Sequence, residues 1–90
     1  MHSKVTLREI LRWHADDRKI VATTAYDYTI ARIIDPHVDM ILVGDSLGNV
    51  VQGRANTLAV TLDDMLYHSR AVVHAAQHAM VVADLPFLSY

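Results

Sequence analysis

The sequence predicts an α/β fold built on a parallel sheet, and two observations carry that prediction. Segments of helical period alternate with short β-branched, apolar segments in the order helix, then β-α-β-α-β. The three strand segments, KIVATTA, VDMILV and AMVVA, are nearly continuously apolar rather than alternating. That is the pattern of parallel strands covered on both faces.

Each element has its own signals. Thr6-Leu7-Arg8-Glu9 has the T-x-x-E form of a capping box, and Leu7, Ile10, Leu11 and His14 keep an i, i+3, i+4, i+7 rhythm. A helix is expected over about 7–15. Asp16-Asp17-Arg18 is a polar break, after which a first strand is expected over about 19–25. Asp27 is placed to cap a short helix with Ile30, Ile33 and Ile34 on one face. Asp35-Pro36 is expected to stop it, since a residue before proline is pushed out of the α region. A second strand follows over about 38–43. The loop GDSLGNVVQGRANTLAV holds all three glycines of the chain. Thr61, followed by Asp63 and Asp64, opens a further helix whose apolar stripe is Leu62, Met65, Leu66, Val72, Val73 and Ala76. The last strand is expected over about 79–83, running into Asp84-Leu85-Pro86-Phe87.

Composition narrows the function classes. The 90 residues are 52% hydrophobic and 20% charged, with 3 glycines and 2 prolines, which suits a globular domain and not a disordered segment. The formal net charge is -2 and the basic residues are scattered, which argues against nucleic acid as a partner. The absence of cysteine excludes a disulfide scaffold, thiol chemistry and a cysteine zinc site. The first residues carry charges throughout and show no apolar core of a secretory signal, and no run is long enough to span a membrane. A soluble cytoplasmic protein is expected. His74 and His78, four apart, are expected to share an exposed helix face, not to bind a metal. Tyr26, Tyr28 and Tyr67 read as packing residues, and His68 as a surface residue or a support to a site.

Two of the strands run into an aspartate: MILV into Gly44-Asp45, and MVVA into Asp84. In parallel α/β folds, ligands bind beyond the carboxyl ends of the strands. If the two strands are neighbours, their carboxylates converge, and a cation between them would relieve the repulsion. Magnesium suits such a pair, since it often takes one or two carboxylates and completes its shell with water and substrate. Ser46 can bind an anionic group beside it. Taken singly, either aspartate reads equally as a turn residue or a helix cap. Gly44 and Gly48 read either as ligand-approach or as turn glycines, and no phosphate-binding glycine motif is present.

Four collinear stretches, TAYDYTIAR (24–32), LVGDSLGNVVQG (42–53), TLAVTLDDMLYHSRAV (57–72) and VADLPFLSY (82–90), resemble the N-terminal third of the ketopantoate hydroxymethyltransferase family. The resemblance implies a (β/α)8 barrel preceded by an extra helix, of which residues 1–90 form one partial domain with the barrel incomplete. It implies transfer of a one-carbon unit from 5,10-methylenetetrahydrofolate to the keto-acid 3-methyl-2-oxobutanoate through an enolate, giving 2-dehydropantoate for pantothenate biosynthesis. It also implies Asp45 and Asp84 as magnesium ligands, Asp45, Ser46 and Asp84 as the substrate-binding residues, and a homo-oligomeric assembly. The family's lysine, third acidic ligand and glutamate base have no counterpart up to Tyr90, so no catalytic base is expected within these residues. The segment Asp35-Pro36-His37-Val38 is one residue short against the family and lacks its helix-ending glycine. Two other expectations stand beside the enzyme: a truncated, inactive piece that is unstable or self-associating when isolated, and a small α/β cation-binding module without turnover.

Overall fold

The computed structural model describes residues 4–57 and 59–86. The order is helix α1 (Leu7–Ala15), strand β1 (Ala22–Thr24), helix α2 (Tyr28–Ile34), a 3-10 turn (Asp35–His37), strand β2 (Met40–Val43), helix α3 (Leu47–Val50), helix α4 (Leu62–Ala75) and strand β3 (Met80–Ala83). The strands form one parallel sheet in the order β1-β2-β3. None of the described helices is long and apolar enough to cross a membrane.

The caps read from the sequence are in place. The Thr6 hydroxyl accepts from the Glu9 N–H while the Glu9 carboxylate accepts from the Thr6 N–H; Thr61 and Asp64 repeat the pattern at α4. Asp27 accepts from the Ile30 N–H and starts α2. The end of α2 differs in mechanism from the expectation. Asp35 keeps α-type angles, φ -48 and ψ -48, and the helix tightens into the 3-10 turn with Pro36 in its first turn. Chain direction changes only at Val38.

All three strands are shorter than expected, and two aspartates explain the trimming. The Asp39 carboxylate accepts from the Val21 N–H at 3.0 Å, while the Val21 carbonyl takes both the Asp39 and Met40 N–H groups. The ladder of β1 therefore begins at Ala22 instead of Lys19. Asp35 is buried and accepts from the Gln77, His78 and Ala79 N–H groups at 2.8–3.1 Å. Ala79 is thus held by a side chain, and β3 starts at Met80.

The core lies between the sheet and one layer of helices. Ala31 of α2 and Met65, Val72 and Ala75 of α4 pack with Ile41 and Val43 of β2. The expected cover on both sheet faces is not present among the described residues: β1 is mostly exposed and β3 only half-buried. The helix stripes shift accordingly. Ala31 and Ile34, not Ile30 and Ile33, form the packed side of α2, and Leu62, Leu66 and Val73 of α4 stay exposed. α1 buries no residue; the preceding segment is anchored by the Val5 N–H to the His78 carbonyl and by Lys4 Nζ to the Ala76 and Ala79 carbonyls.

Candidate active site

The site is built by register. β2 and β3 pair in parallel with Met40 opposite Met80 and Val43 opposite Ala83. Both ladders end together, so Gly44-Asp45-Ser46 and Asp84 emerge side by side at the carboxyl edge. The Asp84 N–H donates to the Val43 carbonyl at 3.0 Å, which extends the ladder one step. The Asp84 carboxylate oxygen Oδ2 then accepts from the Asp45 N–H at 3.3 Å. Asp84 is exposed and Asp45 half-buried.

Gly44 is buried between them. A Cβ at this position would lie 3.2 Å from Ser46 Oγ, a tight approach, and at ordinary contact, 3.4 Å, from Asp84 Oδ2. Ser46 occupies the cap position of α3, yet its hydroxyl makes no capping bond. It pairs instead with the Tyr26 hydroxyl at 2.7 Å. Tyr26 follows β1 and packs against the core, and its carbonyl is met by His68 Nδ1 of α4 at 2.6 Å. A carbonyl only accepts, so His68 Nδ1 carries the proton. Residues from the ends of all three strands and from α4 therefore meet at one edge.

The loop after Ser46 is more ordered than a plain linker. α3 packs Leu47 and Gly48 into the interior. A Cβ on Gly48 would stand 2.7 Å from Val60 Cγ2 and 3.3 Å from the Asn56 carbonyl, a closeness only glycine allows. Gly53, at φ +69, takes a left-handed turn. The Arg54 N–H and the Asn49 side chain then close the loop through the Gly48 and Arg54 carbonyls.

The donor set fits a hard cation. Asp45, Asp84 and Ser46 offer only oxygen, and no group of three His, Cys, Asp or Glu residues gathers among the described residues. A cation demanding a full protein cage is poorly served, whereas magnesium, content with one or two carboxylates, matches. Asp45 and Asp84 are the residues that would hold it. His74 and His78 are not a pair on one helix: α4 ends at Ala75, and Ala76 is extended. His74 lies exposed against the Tyr28 ring, with ring centres 5.6 Å apart, and His78 is half-buried in the following turn. The last four residues of the VADLPFLSY stretch lie outside the described residues.

Comparison with known proteins decides the family. The family model for ketopantoate hydroxymethyltransferase matches residues 4–90. This chain belongs to that family. Among its curated relatives, 3-methyl-2-oxobutanoate hydroxymethyltransferase of Pelobacter propionicus is 53% identical over 91 aligned residues, covering 100% of the chain and 34% of the relative. The protein of the same name from Syntrophomonas wolfei is 64% identical over 73 residues, covering 80% and 26%. That of Aeromonas salmonicida is 47% identical over 89 residues, covering 98% and 34%. The chain thus spans about a third of the length of these ketopantoate hydroxymethyltransferase relatives.

Sequence reading points to Asp45, Ser46 and Asp84 and reads Tyr26 as a packing residue; Tyr26 does pack against the core, and its hydroxyl bond to Ser46 is the added finding. The T-x-Y-D context carries no local signal of a partner 20 residues away. Asp35 reads in the sequence only as a helix stop, and Asp39 carries no signal of its own, yet both are buried acids.

Proposed function

We propose that these residues form the cation- and keto-acid-holding part of a hydroxymethyltransferase. The reaction is transfer of a one-carbon unit from 5,10-methylenetetrahydrofolate to 3-methyl-2-oxobutanoate, giving 2-dehydropantoate for pantothenate synthesis. One observation carries the reading: parallel pairing of β2 and β3 brings Asp84 onto the Asp45 N–H at the carboxyl edge of the sheet, in a chain of this family. The reading takes the three strands as the first three of a (β/α)8 barrel, whose ligands bind at that edge. It includes a cytoplasmic, homo-oligomeric enzyme.

Asp45 and Asp84 would hold Mg2+. When bound, the ion supplies Lewis acidity that draws electron density from the keto-acid's oxygens and eases loss of the C3 proton. Asp45 and Asp84 fix where that charge sits. Ser46 donates its hydroxyl proton to an oxygen of the keto-acid and orients it. Gly44, having no side chain, lets Ser46 Oγ and Asp84 Oδ2 both lie close to the main chain there. The reading assigns none of these residues to taking the C3 proton, and lack of a general base alone slows such a step about 10²–10⁴-fold. These 90 residues by themselves are therefore expected to bind without measurable turnover.

Titration calorimetry with MgCl2 and 3-methyl-2-oxobutanoate tests the site. Saturable magnesium binding, weakened at least about tenfold by Asp84→Asn, is expected, since even groups supporting a ligand contribute 10–100-fold to metal affinity. Equal binding by the wild type and the variant would remove Asp84 from the site. Binding that survives in the variant only without the keto-acid would restrict Asp84 to the substrate.

A further inference from the structure

We propose that Tyr26 is a positioning residue that aims the Ser46 hydroxyl at the keto-acid; this rests on the reading above that Ser46 holds the substrate. The observation is the 2.7 Å pairing of Tyr26 Oη with Ser46 Oγ, made by a serine that sits at a helix start without capping it. A serine hydroxyl has a single proton to give and two lone pairs to receive with. If Ser46 donated to Tyr26, that proton would be spent inside the protein. The phenol is the stronger acid of the two, so Tyr26 donates and Ser46 accepts. The Ser46 proton is then not spent on Tyr26 and is left for an oxygen of the keto-acid. Accepting one bond also polarises the Ser46 O–H and strengthens the bond it gives.

The phenol is itself held from two sides. Its ring packs against the core cluster, and the His68 Nδ1–H grips the Tyr26 carbonyl at 2.6 Å across 42 residues of chain. His68 stands edge-on to Tyr67, with ring centres 5.3 Å apart. The run is thus His68 to the Tyr26 main chain, then the Tyr26 hydroxyl to Ser46, then Ser46 to ligand. It links α4 to the end of β1 and to the loop after β2, which no local sequence pattern connects.

Tyr26→Phe keeps the ring and removes only the hydroxyl. Keto-acid affinity is measured by calorimetry at saturating MgCl2 for the full chain, for Tyr26→Phe, for Ser46→Ala and for the double variant. Tyr26→Phe is expected to weaken keto-acid binding about three- to tenfold, the range of one hydrogen bond. Magnesium affinity without keto-acid should not change, and Tyr26→Phe should add nothing in the Ser46→Ala background. Wild-type affinity in Tyr26→Phe overturns the proposal. So does a loss that persists undiminished in the Ser46→Ala background, because Tyr26 would then act through packing. If Tyr26→Phe does not reach the wild-type circular-dichroism spectrum, 3-fluorotyrosine at position 26 replaces it. That analogue keeps the hydroxyl and makes it a stronger acid; tighter keto-acid binding is expected, and unchanged affinity overturns the role. Failure of the wild type to bind the keto-acid at all would sink the proposed function and this role together. Normal binding lost in Asp84→Asn but untouched in Tyr26→Phe would sink this role alone.

Discussion

Asp35 shows how one side chain organises a turn. Three successive N–H groups, from Gln77, His78 and Ala79, converge on its carboxylate. Burial raises its pKa, but these donors, aided by the nearby His78, outweigh burial and hold it below the ordinary carboxylate range. Folded-state depression has a definite sign. The stabilisation is complete above the unfolded-state pKa, about 3.9, and is lost as pH falls through the lower folded-state value. Asp35→Ala is expected to remove about 2–4 kcal/mol, since it strands buried donors. Urea titrations at pH 7 and in acid would show the variant's deficit shrinking below about pH 4. A deficit that is the same at both pH values would mean the carboxylate charge contributes nothing. At Asp39 burial likewise pushes the pKa up, and the Val21 N–H and Arg18 hold it down. None of this was legible beforehand, because an aspartate before proline reads locally as a helix stop. Its true partners lie 42–44 residues away.

At the scale of the element, what the sequence predicted best was where helices begin. Capping signals are local, and three caps expected from Thr6, Asp27 and Thr61 are formed as written. Thr61→Ala should accordingly cost α4 about 1 kcal/mol, visible as a lower midpoint in thermal circular dichroism, with Thr61→Ser close to the wild type. No change in Thr61→Ala would mean Asp63 and Asp64 suffice to start the helix. Strand limits and buried faces were harder to read. Asp39 and Asp35 substitute side-chain acceptors for ladder partners, so β1 and β3 start late. α3 escaped notice because it is four residues long and starts without a side-chain cap. The apolar stripe of α4 was real as a pattern, but burial follows the neighbours. Met65 and Val72 pack with the buried core of the sheet, while Leu66 and Val73 stay largely exposed.

Across the molecule, β1 and β3 are both outer strands of the described sheet, with one neighbour each. Val21, Ile33, Leu66, Val73 and Leu85 are large, apolar and exposed. Unpaired strand edges and apolar surface of this kind recruit other chains. Residues 1–90 produced alone are expected to self-associate, with light scattering reporting a mass above one chain that rises with concentration. A monodisperse monomer of 10.1 kDa with a cooperative melt would refute this. The α/β class and the aspartates that follow two strands are readable across this distance because a parallel sheet follows from the alternation of elements, whereas the strand order β1-β2-β3 comes from the structure. The Tyr26–Ser46 pair is not readable, since it depends on how the end of β1 sits beside the loop after β2.

The matched register of β2 and β3 bears on how such a sequence can drift. Met40 to Val43 and Met80 to Ala83 pair one for one, and the acids follow at fixed offsets. Valine, isoleucine or leucine could exchange along either strand with little effect on where Asp45 and Asp84 emerge. A single insertion within β3 is another matter. It would carry Asp84 about 3.3 Å along the strand and turn it to the opposite face of the sheet. The two strands are therefore free in spelling and bound in length: what inheritance must preserve here is a count of residues, and only then their kind.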